Sequence, residues 1–154
     1  MSNKIKLDLI VGEIEFQSDF SSSFYNKETR EIRSVTEEEI GMAEDEVSTE
    51  GLHEWLKEAV EIAEEVLYGD IWIPLPSKFE INEYAIMEEF CLLIRNDRIS
   101  EIMYNSIKGK GAFSRFRKNI KRYNIEDDWY KFQNEALKTI AIEWCESNNI
   151  DYEK

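Results

Sequence analysis

Apolar residues recur at helical spacing along most of the chain. In residues 52–68 the apolar positions fall on one side of a helix: Leu52, Trp55, Leu56, Ala59, Ile62, Ala63, Val66 and Leu67. From 82 to 94 the apolar positions cover nearly the whole circumference, which predicts the central and most buried helix. The same periodicity predicts helices over 97–108, 112–123 and 129–146, and it favours a helix over a strand at 6–17.

Two short apolar runs near the N-terminus predict a β-hairpin. Residues 24–25 and 32–35 flank a polar turn at 26–31. Residues 36–39 then have the form of a capping box, so a short acidic helix is expected to follow. Farther along, residues 71–76 must be extended, because each of their two prolines pushes the preceding residue out of the α region.

These elements predict an α+β fold that is predominantly helical, with a short N-terminal β-hairpin. A length of 154 residues fits a single domain over 1–154, with the first helix and the hairpin at about 5–36 and a helical body at about 37–148. The apolar content of 42% and the scarcity of Gly and Pro exclude disordered and collagen-like classes. The chain should therefore bury a core of its own.

Sorting features and cysteine usage predict a cytoplasmic protein. The first apolar run contains an acid and lacks a small-residue cleavage site, so no signal peptide is expected. No run reaches the roughly 18 apolar residues of a membrane span, so no membrane association is expected. Cys91 and Cys145 lie in apolar helical patterns, which suits two reduced, buried thiols better than a disulfide.

Positive charge is concentrated in one segment. Residues 108–122 contain seven basic side chains and no acid, whereas the remainder of the chain carries −21 and the whole chain −14. On a helical wheel one arc is apolar and consists of Phe113, Phe116, Ile120 and Tyr123, while Arg115, Lys118 and Arg122 point the opposite way. Arg117 and Lys121 lie on the flank. The pattern predicts a basic ridge exposed to solvent.

An anion site is predicted where this ridge begins. Gly109 and Gly111 bracket Lys110 before the helix, so free amides, the positive end of the helix dipole and two lysines would converge. The residues expected to bind a small anion or an acidic protein partner are Lys108, Lys110, Arg115, Lys118 and Arg122. Alternatively, the ridge balances the acidic helices of the same protein. A nucleic acid is not expected, because this polyanion would meet an acidic body around the ridge.

Two acids are in register with apolar residues and need an explanation. Glu83 lies in a first helical turn, where free amides and the helix dipole favour a carboxylate. Glu143 follows the row formed by Phe132, Ala136 and Ile140. A buried carboxylate needs a partner, so Glu143 either reaches solvent at an edge or forms an internal pair with a ridge base, for which Arg117 is the first choice.

The sequence contains few groupings that could support catalysis. His53, the only histidine, falls on the polar flank of its helix, which excludes His-based triads and zinc sites. Neither cysteine has a nearby base, and the acidic clusters do not match a calcium loop, although a carboxylate-only metal site stays open. No catalytic residue, cofactor or resident metal is therefore expected.

Several stretches together match the pattern of a known family. They are 73–81, Glu83-Tyr84, Ile86-Met87, Phe90-Cys91, 109–113 with Phe116, Trp129-Tyr130, Phe132, 135–137 and 140–145, and, nearer the N-terminus, 15–19. On these residues the chain resembles uncharacterised protein family 0158, which implies a small bacterial cytoplasmic protein and carries over no catalytic residue. The hairpin turn in the family commonly reads Lys-x-Thr-Gly-Glu. Here Arg30 replaces the glycine, which argues against a left-handed backbone at that residue.

Two functions fit these features. The preferred one is a non-catalytic binding or regulatory module whose contact surface is the basic ridge. The other is an enzyme acting on a phosphorylated or carboxylated small molecule, with the 109–111 turn gripping the anion and Glu143 or Glu83 as the acid or base. A ridge without an adjoining cleft favours the module, whereas a pocket that joins Lys110, Arg117 and a buried Glu favours the enzyme.

Overall fold

The computed structural model describes residues 4–18 and 20–154. The helices are α1 (Leu7–Phe16), α2 (Glu37–Glu44), α3 (Glu54–Tyr68), α4 (Lys78–Ile81), α5 (Glu83–Leu93), α6 (Asp97–Ser106), α7 (Ala112–Arg122) and α8 (Glu126–Ser147). The strands are β1 (Ile5–Lys6), β2 (Ser21–Asn26), β3 (Ile32–Thr36), β4 (Trp72–Pro74) and β5 (Tyr152–Glu153). The fold is therefore α+β and predominantly helical, which confirms the predicted fold class.

The chain divides into two compact units. The first comprises Met1–Glu80 and Ala141–Lys154, and the second comprises Ile81–Ile140. Helix α8 contributes residues 126–140 to the second unit and residues 141–147 to the first. No helix in the part of the chain that the structure describes is long and apolar enough to cross a membrane.

The predicted hairpin is formed by β2 and β3. The backbone of its turn differs from the sequence prediction at Arg30. The strands pair antiparallel, with Tyr25 opposite Ile32. Arg30 has a φ of 65°, so the prediction that it avoids the left-handed region is wrong. The side-chain Oδ1 of Asn26 accepts hydrogen bonds from the amides of Glu28 and Thr29, and the Arg30 amide donates to the Asn26 carbonyl. These bonds hold the turn and offset the strain at Arg30.

The first unit contains a three-stranded sheet in the order β3-β2-β4. The sequence predicts an extended segment at 71–76 but not its antiparallel pairing with β2, because pairing depends on residues far apart in the chain. Two tryptophans fasten this segment: the indole N–H of Trp72 donates to Glu65, and that of Trp144 donates to the carbonyl of Pro74. A short parallel pair of β1 with β5 joins the ends of the chain and was not predicted.

Helices α2 and α3 pack on this sheet through a small apolar core. The capping box predicted at 36–39 is present, with the Thr36 hydroxyl and the Glu39 carboxylate each accepting from the other residue's amide. The buried centre of the core is Val35, Ala43, Val60 and Ala63. Trp55 was predicted on the same face of α3 but is 66% exposed, because Val60 and Ala63 set the inward direction of the helix.

The second unit is built around an aromatic cluster. The rings of Phe90, Phe116, Trp129 and Phe132 meet mostly edge to face, with centroid separations of 4.7 to 6.1 Å. Helix α5 supplies Phe90 and also buries Ile86, Met87 and Cys91. The prediction that this helix is the most buried, because apolar residues occupy nearly its whole circumference, is wrong at its C-terminal end, where the apolar Leu92 and Leu93 are 60% and 62% exposed.

Candidate functional site

Helix α7 buries one row of side chains and exposes another. The buried row is Ala112, Phe116 and Ile120, four residues apart. Arg117, Lys118, Lys121 and Arg122 are all exposed, and we refer to these four residues as the basic face. Phe113 was predicted to lie in the core but is 44% exposed, at the edge of this face. Because Ala112, Phe116 and Ile120 form the inner side, Arg117 and Lys121 lie on the open surface rather than on a flank.

Arg115 does not belong to the exposed ridge, contrary to the sequence prediction. Its Nε donates to the carbonyl of Ser106 at 2.6 Å, its Nη2 to that of Lys108 at 2.8 Å, and its Nη1 to that of Lys110. The guanidinium thus ties the loop between α6 and α7 to the first turn of α7. A side chain that donates to three backbone carbonyls is a structural anchor of the loop.

The loop that Arg115 closes depends on two glycines. Gly109 has a φ of 82° and Gly111 a φ of 78°, in the left-handed region that side chains disfavour. A Cβ atom added at Gly111 would also lie 2.9 Å from Nη1 of Arg115. Glycine at 111 therefore allows both the backbone turn and the close approach of the guanidinium.

The five residues predicted to bind an anion are placed in different settings. The ammonium of Lys108 lies 4.8 Å from the ring centroid of Tyr104, a cation–π contact with α6. Lys110 is exposed in the loop, and Arg115 is held by the loop carbonyls. Lys118 and Arg122 lie on the basic face, together with Arg117 and Lys121. The exposed cations of α7 are therefore those of the basic face. The centre of this face is rotated about the helix axis relative to the centre that the helical wheel predicts.

The basic face carries concentrated and uncompensated charge. Arg117, Lys118 and Lys121 form no ion pair or side-chain hydrogen bond with the residues that the structure describes, whereas Arg33 pairs with Glu58 at 2.6 Å. The pairs Arg117/Lys121 and Lys118/Arg122 place like charges four residues apart, which destabilises the helix by a few tenths of a kcal/mol each. Arg122 lies 5.6 Å from the ring centroid of Tyr123.

The two carboxylates that are in register with apolar rows are at the surface, which is one of the two positions that the sequence left open for Glu143. Glu143 is exposed, and so are Arg117 and Glu83, so the hypothesis of an internal Glu143–Arg117 pair is wrong. The buried row of α8 in this region consists of Ala141, Trp144 and Cys145, and Glu143 falls beside it. The row used for the prediction, Phe132, Ala136 and Ile140, is only partly buried. Glu83 lies in the first turn of α5, as the milder alternative expects.

The two cysteines and the histidine lie in the settings that the sequence predicts. Cys91 and Cys145 are free and fully buried, and burial raises the pKa of each thiol to about 11, so both are uncharged at neutral pH. His53 is exposed at the start of α3. Among residues 4–18 and 20–154, no three His, Cys, Asp or Glu side chains come together in a way that could hold a metal ion.

The groove that the structure describes in the second unit does not join the groups that the enzyme alternative requires. A groove of about 540 Å³ in this unit is lined by residues of α5, α6 and α8 and the loops beside them, and neither Lys110 nor Arg117 is among them. The two carboxylates considered as acid or base are exposed. The basic face is open and charged, and none of its four residues lines this groove.

Comparison with known proteins gives a family but no activity. The model of the family described as "Uncharacterised protein family (UPF0158)" matches residues 56–153, well over half of the chain. A UPF0158 protein of Pseudomonas aeruginosa is 27% identical over 67 residues, which is 43% of this chain and 44% of that protein. The chain thus aligns with less than half the length of this relative. No solved structure matches the chain.

Proposed function

The chain belongs to uncharacterised protein family UPF0158, whose description assigns no activity, and we propose that it is a non-catalytic binding or regulatory module that contacts an acidic protein partner through the basic face of α7. The observation that carries the proposal is the exposure of the cations on this face and their lack of partners. Its four cations are exposed, and three of them have neither an ion pair nor a side-chain hydrogen bond among the described residues. An acidic partner would neutralise this like-charge repulsion.

The setting of the face favours a protein over a nucleic acid as its partner. The basic face lies on a chain of net charge −14, so a long polyanion would gain contacts along α7 and be repelled elsewhere. A protein segment with a short acidic stretch could contact α7 alone. Phe113, which is 44% exposed at the edge of the face, adds an apolar contact that such a segment can use.

The location that fits the proposal is the bacterial cytoplasm. Two buried free thiols, with no disulfide among the described residues, are typical of proteins in a reducing compartment. A cytoplasmic module would meet its acidic partner at physiological ionic strength. There the Debye length of about 8 Å screens long-range repulsion and preserves contacts made directly on α7.

The proposal is tested by neutralising the basic face. A variant with Arg117, Lys118 and Lys121 changed to Gln is compared with the wild type and with a control in which Lys6, Lys27 and Arg98, exposed elsewhere, are changed to Gln. Both variants have the same net charge. Binding of fluorescently labelled poly-L-glutamate is followed by anisotropy at increasing salt concentration.

The basic-face variant is expected to lose about tenfold or more in affinity at low salt, on the scale of three weak ion pairs, whereas the control stays near the wild type. Equal losses in both variants, or no binding by the wild type at low salt, would contradict the proposal. Competition by inorganic phosphate at low concentration would identify a small anion, rather than an acidic segment, as the ligand of this face.

A further inference from the structure

A second surface in the Ile81–Ile140 unit has the features of a ligand site. It is a groove of about 540 Å³ between the C-terminal end of α5, the start of α6 and the first turns of α8, within the range of small-molecule sites. Its apolar lining consists of Phe90, Leu93, Ile94, Ile99, Ile125 and Phe132. The 62% exposure of Leu93 shows that part of this lining faces solvent. An apolar groove left open to water favours an occupant with an apolar body.

The floor of the groove is held in place by the aromatic cluster. The Phe90 ring is 5.5 Å from that of Phe132 and 5.3 Å from that of Trp129, measured between centroids. The turn between α7 and α8 positions Ile125, whose amide donates to the Ile120 carbonyl at 2.9 Å. The groove is therefore a preformed feature of packed elements, and binding requires little ordering of its floor.

The polar groups of the groove lie at its edge and differ in how well they are compensated. Arg95 forms no ion pair or side-chain hydrogen bond with the described residues. It also directly precedes Asn96, the N-cap of α6, so the positive end of that helix adds to its charge. Asp128, in contrast, lies in the first turn of α8, where the helix end stabilises a carboxylate. Neither group has an ion pair among the described residues, so the helix ends make the difference: they stabilise the negative charge of Asp128 and not the positive charge of Arg95.

We propose that this groove binds an apolar monocarboxylate, with the hydrocarbon body over Phe90, Ile99 and Phe132 and the carboxylate at Arg95. The side-chain Oδ1 of Asn96 accepts from the Ile99 amide at 3.1 Å, so its NH₂ group is left as a second donor for the carboxylate. Asp128 at the same groove disfavours a dianion. The site is separate from the basic face and does not depend on the function proposed for it.

The test measures affinity for ligands that differ only in the head group. Hexanoate, hexan-1-ol and hexylammonium are titrated into the full chain labelled with ¹⁵N, and amide shifts are followed at residues 93–99 and 125–132. Hexanoate is expected to bind tightest of the three. Within the series butyrate, hexanoate and octanoate, affinity should rise by about fourfold for each CH₂ that is buried.

Two variants are compared. Arg95→Gln changes a residue that lines the groove, and Arg98→Gln changes an exposed arginine three residues further along, in α6, that does not line it. Arg95→Gln should weaken hexanoate about three- to fivefold, the scale of an exposed ion pair, and leave hexan-1-ol unchanged. Arg98→Gln should change neither. Both substitutions are at exposed positions, and circular dichroism confirms that each variant is folded.

Several results would overturn the inference. They are the absence of shifts in the groove, equal binding of the alcohol and the acid, and an equal response of the two arginine variants. N-acetylleucine, which mimics the last residue of a peptide, is titrated in parallel. Tighter binding than hexanoate would identify a peptide C-terminus as the source of the carboxylate, and weaker binding would identify a free acid.

Discussion

The first turns of α7 and the rest of the helix use positive charge in different ways. Arg115 turns back toward the preceding loop and donates to the carbonyls of Ser106, Lys108 and Lys110. Two residues later the basic face begins, and the side chains of Arg117, Lys118 and Lys121 make no such bonds within the described chain. One charge is used by the fold, and the other three are left exposed to solvent. Residue type and helical position alone do not distinguish the two uses.

The comparison predicts that stability depends on the inner side of α7 and hardly at all on the basic face. Phe116→Ala removes a ring packed against Phe90 and Trp129 and should lower the free energy of unfolding by about 3–5 kcal/mol. Urea denaturation followed by circular dichroism measures it. Phe113→Ala is the matched control, and its loss should be much smaller because Phe113 is 44% exposed. Similar losses in both variants would show that the helix is oriented differently.

The next largest effect is expected at Arg115. Arg115→Gln removes a charged donor from three carbonyls and should cost about 1.5–3 kcal/mol. Arg115→Lys should restore little of this loss, because a single ammonium cannot replace the planar fork of donors. The measurement is again urea denaturation. A loss no greater than that of Lys118→Gln would remove the distinction between the anchored and the exposed cations.

Gly111→Ala should cost less, about 1–2 kcal/mol, from the left-handed backbone and from the contact of the new Cβ with Arg115. A double-mutant cycle separates the two causes, since the contact exists only while the guanidinium is present. In an Arg115→Gln background the cost of Gly111→Ala should fall to the backbone part. Strict additivity of the two substitutions would contradict the close approach of Arg115 to the turn.

The smallest change in stability is expected for the basic face itself. Changing Arg117, Lys118 and Lys121 together to Gln should shift the free energy of unfolding by no more than about 0.5 kcal/mol, with a slight gain from relief of like-charge pairs at low salt. Thermal and urea denaturation at two salt concentrations test this expectation. A large fall in melting temperature would mean that these charges hold the protein together, and the binding proposal would lose its basis.

Local patterns in the sequence predicted the elements of α7 and α8 but not which side of each helix is buried. In α7 the apolar arc includes Phe113 and Phe116, and a wide arc of this kind allows more than one orientation. The tertiary contacts of Phe116 with Phe90 and Trp129 select one of them. In α8 the same uncertainty left two positions open for Glu143, the solvent edge and the interior, and the structure has it at the surface. A helical wheel cannot resolve such rotations, because partner helices determine them.

Long-range features could also not be predicted from the sequence, whereas most caps and turns could. The capping box at 36–39 and the break at Gly109 and Gly111 follow from local chemistry and were predicted. The pairing of β4 with β2 and of β1 with β5 joins distant residues, and no local pattern encodes it. Arg115 lies between these cases. Its signal was the run of loop carbonyls just before it, which need donors that glycine, having no side chain, can supply only from its backbone N–H.

The anchoring of the 108–111 loop by Arg115 has a consequence for how this part of the protein opens. A turn whose carbonyls are bonded to a side chain of the following helix cannot detach while that helix stays intact. Loop and first helical turn therefore form one cooperative unit in local unfolding, and they should share one free energy of opening. A glycine-rich connection, which composition alone would rank among the loosest segments, thus gains its protection from the helix that it introduces.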